Sequence, residues 1–219
     1  MKPIAVFYHC LVRNKQPPIT AETTMNILVE QMRALNVSGL AAAAKTIVVG
    51  CNGDSIDAMA VGCLIPKEAQ LFWWPGGCSE IPTLKYMHDW SKQHLGWNVL
   101  YHHMKGATYP KNKMWITWRR CMEMACVWNW ERCVEELELG AESCGAHWLT
   151  RRLLPHDTNC PYWGGNFWWA TSDFIATLKP LPEDSVKNRY EAEIWIHSGP
   201  RLPRVHDFAP HHPMRCHET

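Results

Sequence analysis

The sequence has no surplus of charge of either sign. Its 219 residues include 22 Lys and Arg against 21 Asp and Glu, a formal net charge of +1. Proteins that bind nucleic acid through its phosphates carry a basic surplus, so we expect no nucleic-acid partner. The chain also has no uninterrupted apolar run near the roughly 18 residues that a membrane-spanning helix needs. We therefore expect no transmembrane segment.

A second absence concerns cysteine motifs and secretion signals. The ten cysteines are scattered, with no Cys-x-x-Cys pair and no zinc-ribbon spacing. The segment from Met1 to Val12 has no apolar region that ends in a small-residue cleavage site. We therefore expect a cytoplasmic protein in a reducing compartment, in which most cysteines are small buried apolar side chains.

What the sequence does contain is the composition of an ordinary globular domain with unusually many tryptophans. Hydrophobic residues make up 47% and charged residues 20% of the chain, which is enough for a complete core. This composition predicts a single domain over residues 1–219. The 13 tryptophans exceed what such a core needs, so we expect some of the rings to have a binding role.

Strand-like and helix-like segments alternate along the N-terminal half. Branched and aromatic runs predict strands at residues 4–8, 46–50, 71–74 and 97–101, and apolar spacings of three and four predict helices between them. This alternation is typical of an α/β fold with an open, mixed but mainly parallel, Rossmann-type sheet flanked by helices. Ligands of such sheets bind beyond the carboxyl ends of the strands, so the loops there are where we expect a site.

The C-terminal half begins with the longest predicted helix, over about residues 113–139, which Gly140 ends. We further predict a strand near residues 143–149 and helices near residues 172–178 and 185–197. A tail follows from residue 200.

Loops after two of the predicted strands carry groups that suit a phosphate. One strand ends in His102 and His103, and Lys105 and Gly106 follow, the glycine allowing the backbone to approach a ligand closely. Two imidazoles and an ammonium group suit a phosphate or a metal phosphate. Asn52, after another strand, joins the same candidate donor site. In the competing interpretation one histidine is paired in the core and the lysine is merely solvated.

An aromatic block around a pair of glycines is the candidate sugar site. Residues 162–170 have the sequence Tyr-Trp-Gly-Gly-Asn-Phe-Trp-Trp-Ala. Rings can stack on the C–H faces of a sugar and an amide can bond to its hydroxyls, which favours Asn166, Trp168 and Trp169 as acceptor-binding residues. The competing interpretation is a buried aromatic anchor at a junction between a loop and a helix. Both hold if one ring lies inside and the other lines a cleft.

Candidate bases lie in the helix predicted near residues 185–197. A carboxylate that faces a sugar cleft can deprotonate an acceptor hydroxyl. About 200° of helical rotation separates Glu191 from Glu193, so one of them at most faces inward. Arg189 stands one turn before Glu193 and would lower its pKa, which makes Glu193 the weaker base. We therefore choose Glu191, with Glu193 and Asp173 as alternates. An exposed ion pair of little energy is the competing interpretation.

The tail after residue 200 is rich in histidine. His206 could supply a metal ligand, with His103 as the second candidate, or the tail could cover a bound phosphate. A solvated, partly ordered tail is the competing interpretation. The remaining acidic residues, Glu80 among them, have the pattern of solvated helix faces, and we expect no chemistry from them.

Four segments together resemble a small group of GT-A-type glycosyltransferase-like proteins. They are a strand-terminal aromatic-x-His-x-Lys-Gly segment, a long helix with Trp-Arg-Arg-Cys-Met-Glu-Met, the block Gly-Asn-Phe-Trp-Trp-Ala and a helix with Tyr-Glu-Ala-Glu-Ile-Trp-Ile. They follow one another over about residues 95–198. The resemblance implies a GT-A-like fold in which residues 1–110 bind a nucleotide diphosphate sugar, residues 111–199 bind the acceptor and residues 200–219 form a tail.

The resemblance also implies an enzyme, a glycosyltransferase that moves a sugar from its nucleotide diphosphate donor to a glycan or another hydroxyl acceptor. The Asp-x-Asp motif that holds Mn or Mg in such enzymes is absent here. Metal dependence therefore stays open, because His102, His103 and Lys105 could neutralise the leaving diphosphate instead. The alternatives are a non-catalytic carbohydrate-binding protein with a tryptophan-rich cleft and a scaffold with a fully buried aromatic core. Nucleotide binding separates the enzyme from both.

Overall fold

A computed structural model of the protein describes residues 1–12, 21–75, 79–107, 109, 111–149, 161–181 and 190–209. Within these ranges seven strands form one sheet, and two very short strands pair separately. The strands are β1 (Ile4–Leu11), β2 (Thr46–Gly53), β3 (Gln70–Pro75), β4 (Asn98–His103), β5 (Ser143–Gly145), β6 (Trp148–Leu149), β7 (Tyr162–Trp163), β8 (Trp168–Thr171) and β9 (Val205–Asp207).

The larger sheet is mainly parallel. Its strand order is β3-β2-β1-β4-β8-β5-β9. Strands β1 to β4 run in parallel, β8 runs antiparallel to both β4 and β5, and β9 is parallel to β5. Of these seven strands, β8 therefore opposes the other six. The predicted α/β fold with an open, mixed but mainly parallel sheet is confirmed.

Helices cover both faces of this sheet. They are α1 (Ala21–Val37), α2 (Leu40–Ala43), α3 (Ser55–Gly62), α4 (Ile81–Gln93), α5 (Lys113–Glu123), α6 (Trp130–Glu138), α7 (Ser172–Ala176) and α8 (Tyr190–Ile194). Because side chains alternate along a strand, β1 contributes to two cores, one with Tyr8 and Leu28 and one with Phe7 and Leu84. No helix in the described ranges is both long enough and apolar enough to cross a bilayer.

The long helix predicted over residues 113–139 is present but interrupted. A π-helical turn, Met124–Trp128, lies between α5 and α6. The helix ends as predicted, since Gly140 has φ 109°. The amide of Ala141 donates to the carbonyl oxygen of Glu136 at 3.0 Å, which closes a Schellman cap.

The segment after Gly165 was expected to be a junction between a loop and a helix, and this expectation was wrong. Residues Trp168–Thr171 form β8, which pairs with β4 on one side and β5 on the other. Helix α7 begins only afterwards, capped by Thr171, whose hydroxyl accepts from the amide of Phe174. A strand buried on both faces has no polar alternation in its sequence, so the pattern did not reveal it.

Candidate functional site

A cleft opens at the carboxyl ends of β1 and β4, where the chain order reverses. From β1 the chain builds outward to β2 and β3, and β4 then returns to the other side of β1. Ligands of open α/β sheets usually bind at such a reversal. We call this the switch-point cleft, and it is lined by His9, Leu11, Glu80, His103, Met104, Lys105, Gly106, Ala107, Tyr109, Trp115 and Glu193.

Glu80 is the centre of a hydrogen-bonded cluster on the floor of the cleft. It is the N-cap residue of α4, and 16% of its side chain is exposed. Its Oε2 accepts from the hydroxyl of Tyr101 at 2.7 Å and from Nδ2 of Asn166 at 2.8 Å. The Oδ1 of Asn166 accepts in turn from Nε1 of Trp168 at 2.7 Å. These bonds fix the carboxylate, so Oε1 has a defined position.

Two imidazoles lie near this carboxylate. The Nε2 of His103 is 2.8 Å from the carbonyl oxygen of Gly165, and its Nδ1 is 3.5 Å from Oε1 of Glu80. His9 is 3% exposed. Burial, together with the ammonium group of Lys105 for His103, lowers the pKa of both rings from 6.5 to about 4. Both imidazoles are therefore neutral near pH 7.

Lys105 places an ammonium group in the cleft. Its Nζ is 3.6 Å from Oε1 of Glu193, and the side chains of the two residues are 11% and 13% exposed. The Nζ also lies 4.5 Å from the ring centroid of Trp118 and 5.3 Å from that of Trp115. The ring faces attract the cation and limit the directions in which it can move.

The backbone of residues 103–106 is held by side chains from the helices behind it. The Nε2 of Gln31 donates to the carbonyl oxygen of His103 at 3.2 Å, and Nη1 of Arg119 donates to that of Lys105 at 3.3 Å. Gly106 has φ 82°, a conformation that favours glycine. The segment is therefore fixed from behind while its side chains face the cleft.

The net charge of the cleft is negative near pH 7. The carboxylates of Glu80 and Glu193 face the ammonium group of Lys105, and the two imidazoles carry no charge. An anionic ligand must therefore arrive with a cation or take the place of Glu193 beside the lysine.

The predicted donor-binding residues are divided between the cleft and the core. His103, Lys105 and Gly106 line the cleft. His102 does not, because neighbouring residues of a strand point to opposite faces. Its ring is 0% exposed and packs 4.7 Å from that of Tyr8.

Asn52 also lies outside the cleft, although it ends a neighbouring strand. It is 1% exposed, and its Nδ2 donates to the carbonyl oxygen of Ser79 at 2.6 Å. This bond ties β2 to the segment before α4, so Asn52 contributes to the framework of the site.

The two tryptophans predicted to bind the acceptor are core residues. Trp168 and Trp169 are 1% and 0% exposed and belong to the cores on opposite faces of the sheet. The Nε1 of Trp169 donates to the carbonyl oxygen of Cys126 at 2.8 Å. Neither ring offers a face to a sugar, so stacking does not fit this geometry. Asn166 reaches the cleft indirectly, through its bond to Glu80.

Of the candidate bases, Glu193 lines the cleft and Glu191 does not. The Oε2 of Glu191 is buried without a hydrogen-bond partner among the described residues. Arg189, on which the preference for Glu191 rested, lies outside the described residues, and Lys105 is the cation beside Glu193. Of the two candidates, Glu193 is the one that reaches the cleft.

Asp173 and His206 lie away from the cleft. The Oδ2 of Asp173 accepts from the amide of Gly96, just before the amino end of β4. His206 belongs to β9, three strands from β4, and three strand spacings amount to about 14 Å. His103 and His206 therefore cannot share one ion. The later histidines of the tail lie outside the described residues.

No set of three metal-ligating side chains converges within the ranges that the structure describes. A Mn or Mg ion, for which the sequence leaves the need open, thus has no preassembled site of three protein ligands there. Mg²⁺ usually keeps several waters and is held by one or two carboxylates together with the phosphates of its substrate.

Sequence reasoning missed Glu80 and His9. Glu80 was assigned to a solvated helix face, yet it accepts two hydrogen bonds on the cleft floor. A usable signal was its place directly before the Ile-Pro start of α4, because a helix begins at the carboxyl edge of a parallel sheet. His9 carried a weaker signal, its position near the end of β1.

A family model described as a domain of unknown function, DUF8361, matches residues 7–184 of the chain. The chain belongs to this family. No curated protein matches the DUF8361 chain.

Solved structures resemble the DUF8361 chain in fold. HddC from Yersinia pseudotuberculosis is 8% identical with a TM-score of 0.53, covering 95% of this chain and 90% of its own. A candidate nucleotide-diphospho-sugar transferase from Desulfovibrio desulfuricans G20 is 8% identical with a TM-score of 0.45, covering 90% and 73%. The 4-diphosphocytidyl-2C-methyl-D-erythritol synthase from Anaerococcus prevotii DSM 20548 is 9% identical with a TM-score of 0.45, covering 87% and 82%. The similarity to HddC supports the α/β fold. At 8% identity it supports no conclusion about activity or ligands.

Proposed function

We propose that this protein is a transferase that binds a nucleotide diphosphate sugar in the switch-point cleft. The observation that carries the proposal is the ammonium group of Lys105 at the carboxyl end of β4, where the chain order reverses. Open α/β sheets bind nucleotides at this position. An ammonium group offers a diphosphate both charge and N–H donors.

Lys105 already has an ion-pair partner that a diphosphate can replace. Its Nζ is 3.6 Å from Oε1 of Glu193, whereas a charge-assisted hydrogen bond measures about 2.7–2.9 Å. The pair is therefore loose, and the diphosphate takes the place of Glu193 when the donor binds. As the bond between the anomeric carbon and the diphosphate breaks, Lys105 stabilises the charge that develops on the leaving phosphate.

The same exchange makes Glu193 available as the base. Once the lysine has moved to the diphosphate, the carboxylate of Glu193 accepts the proton of an acceptor hydroxyl. The hydroxyl oxygen attacks the anomeric carbon, and the diphosphate leaves with the bonding electron pair. General-base assistance of this kind contributes about 10²–10⁴-fold. The acceptor is a glycan or another compound with a free hydroxyl.

A divalent cation fits the charge of the cleft but has no protein ligand set among the described residues. Two carboxylates already face one ammonium group, so a diphosphate adds negative charge to a negative cleft. Mg²⁺ or Mn²⁺ bound to the phosphates of the donor would offset that charge. None of the steps above passes through the metal.

The alternative function, a non-catalytic carbohydrate-binding protein, depended on exposed tryptophan rings. Trp168 and Trp169 are buried, and the cleft carries an ammonium group that a simple sugar does not require. We therefore favour the transferase.

The test is nucleotide binding by Lys105→Ala. Wild-type protein and the variant are titrated by calorimetry with UDP, GDP, CDP and ADP, with and without magnesium. A hydrogen bond to a charged group contributes about 1.5–3 kcal/mol, so we expect the affinity to fall about 10- to 150-fold. Lys45→Ala is the matched control, because Lys45 is an exposed lysine just before the amino end of β2. Wild-type protein that binds no diphosphate, or a Lys105→Ala variant with unchanged affinity, would show the proposal to be wrong.

A further inference from the structure

The floor of the switch-point cleft presents hydrogen-bond acceptors that face one another. A carbonyl oxygen accepts and never donates, so the bond between Gly165 and His103 requires the ring proton of His103 to lie on Nε2. Because this imidazole is neutral near pH 7, its Nδ1 is an acceptor. It faces Oε1 of Glu80, also an acceptor, at 3.5 Å.

The neighbouring donors are already used on the other oxygen of the carboxylate. Tyr101 and Asn166 both donate to Oε2 of Glu80. The separation of 3.5 Å between Oε1 of Glu80 and Nδ1 of His103 is longer than a good hydrogen bond, so neither atom has the other as a strong partner.

His9 adds a third nitrogen to the same floor. It is 3% exposed and lines the cleft. Its Nδ1 lies 2.8 Å from Oγ1 of Thr83, whereas its Nε2 is buried without a partner among the described residues. A buried polar atom without a partner is costly, and the residue that carries it lines the cleft.

These atoms select against phosphate and for hydroxyl groups. A phosphate offers acceptor oxygens and negative charge, and it would be repelled by Glu80. A hydroxyl group donates one hydrogen bond and accepts others. Two adjacent hydroxyls can therefore donate separately to Oε1 of Glu80 and Nδ1 of His103.

We propose that Glu80 and His103 bind adjacent hydroxyl groups of the donor sugar beside the ring of His9, while Lys105 binds the diphosphate. This inference rests on the proposed function and assigns each end of the donor to its own residues. It makes the protein selective for sugars that keep both hydroxyls.

The test uses Glu80→Gln, which supplies the missing donor from the protein itself. The amide oxygen of glutamine can accept from Tyr101 and Asn166, and its NH₂ can donate to Nδ1 of His103. The acceptor nitrogen of His103 then has a hydrogen-bond donor without a sugar, and the side chain at position 80 keeps its shape. Wild-type protein and the variant are titrated with UDP, GDP, CDP and ADP and with UDP-glucose, GDP-mannose, CDP-glucose and ADP-glucose.

We expect at least one sugar nucleotide to bind wild-type protein about tenfold or more tightly than the diphosphate alone. In Glu80→Gln this difference should disappear, while the affinity for the diphosphates is kept or rises, because a charge that repels them is lost. The inference is overturned if the sugar adds no affinity in wild-type protein, or if it adds the same affinity in both proteins. His103→Leu, which removes the acceptor nitrogen Nδ1, replaces Glu80→Gln if the latter does not fold, with the same two criteria.

Failure of the proposed function gives a different result, in which no nucleotide binds wild-type protein. The floor is then tested with methyl glucoside and methyl mannoside at about 100 mM in a thermal-shift assay. A rise in Tm for wild-type protein that is absent in Glu80→Gln supports the inference, and no rise in either protein overturns it.

Discussion

Replacing His102 by leucine should stabilise this protein. His102 is 0% exposed in β4, its ring packs against those of Tyr8 and Phe167, and neither ring nitrogen has a hydrogen-bond partner among the described residues. An unpaired buried polar group costs about 1–3 kcal/mol. Leucine has a similar volume and no polar atom, so the free energy of unfolding should rise by about 1–3 kcal/mol at pH 7.

The increase in the free energy of unfolding caused by His102→Leu should be larger at acid pH. Burial, followed by the effect of His103, lowers the pKa of His102 to about 3 from 6.5. Between these two pH values the unfolded chain binds a proton that the folded protein does not, so stability present above pH 6.5 is lost as the pH falls. One pKa unit corresponds to about 1.36 kcal/mol, so His102 alone costs about 2 kcal/mol at pH 5. His102→Leu removes that cost.

Other buried groups also titrate in this range, and the comparison of variant with wild type isolates His102 from them. His9 and His103, with pKa values of about 4, add to the loss of stability at acid pH. Glu123 acts in the opposite direction, because burial, opposed by Arg119, raises its pKa to about 7. Its contribution to stability therefore declines as the pH rises from 4.5 to 7.

The assay is urea denaturation at pH 5 and pH 7, followed by tryptophan fluorescence. The control is Val99→Ala, which changes another buried residue of β4 without a titratable group and should lower the free energy of unfolding equally at both pH values. If His102→Leu is less stable than wild type at pH 7, or if its gain is the same at both pH values, the reasoning is refuted.

Two further predictions concern the cleft and its surroundings. Gly165→Ala should lower Tm by several degrees, because Gly165 has φ 88° and a Cβ there would lie 2.5 Å from Sδ of Met122. The left-handed conformation alone costs a residue with a Cβ about 1–2 kcal/mol. An unchanged Tm in thermal unfolding would contradict this geometry. Glu193→Gln should slow transfer from whichever sugar nucleotide binds by about 100-fold or more while nucleotide affinity survives, with Glu191→Gln as the matched control at wild-type rate. Equal rates for the two variants would remove Glu193 from the role of base.

The sequence alone was enough for the fold class and for the segment that carries Lys105. Runs of branched residues and helical spacings are local signals, because they reflect which face of each element is buried. The strand predicted near residues 97–101 and the glycine after Lys105 were therefore visible before any tertiary contact was known, and the structure extends the strand to His103 and gives Gly106 a positive φ.

The tertiary structure decided which polar side chains meet. His102 and His103 lie on opposite faces of β4. Which of the two is buried depends on which face packs against α1, and the spacing of residues in the sequence does not reveal that. The tryptophans of β8 became core residues because this strand is inserted between β4 and β5 from a distant part of the chain. Glu80 and Asn166, 86 positions apart, share a hydrogen bond because β4 ends, and β8 and α4 begin, at one edge of the sheet. Long-range pairings of this kind leave no periodic pattern in the sequence. The sequence therefore predicted Lys105 as a cleft residue but did not predict the hydrogen-bonded floor below it.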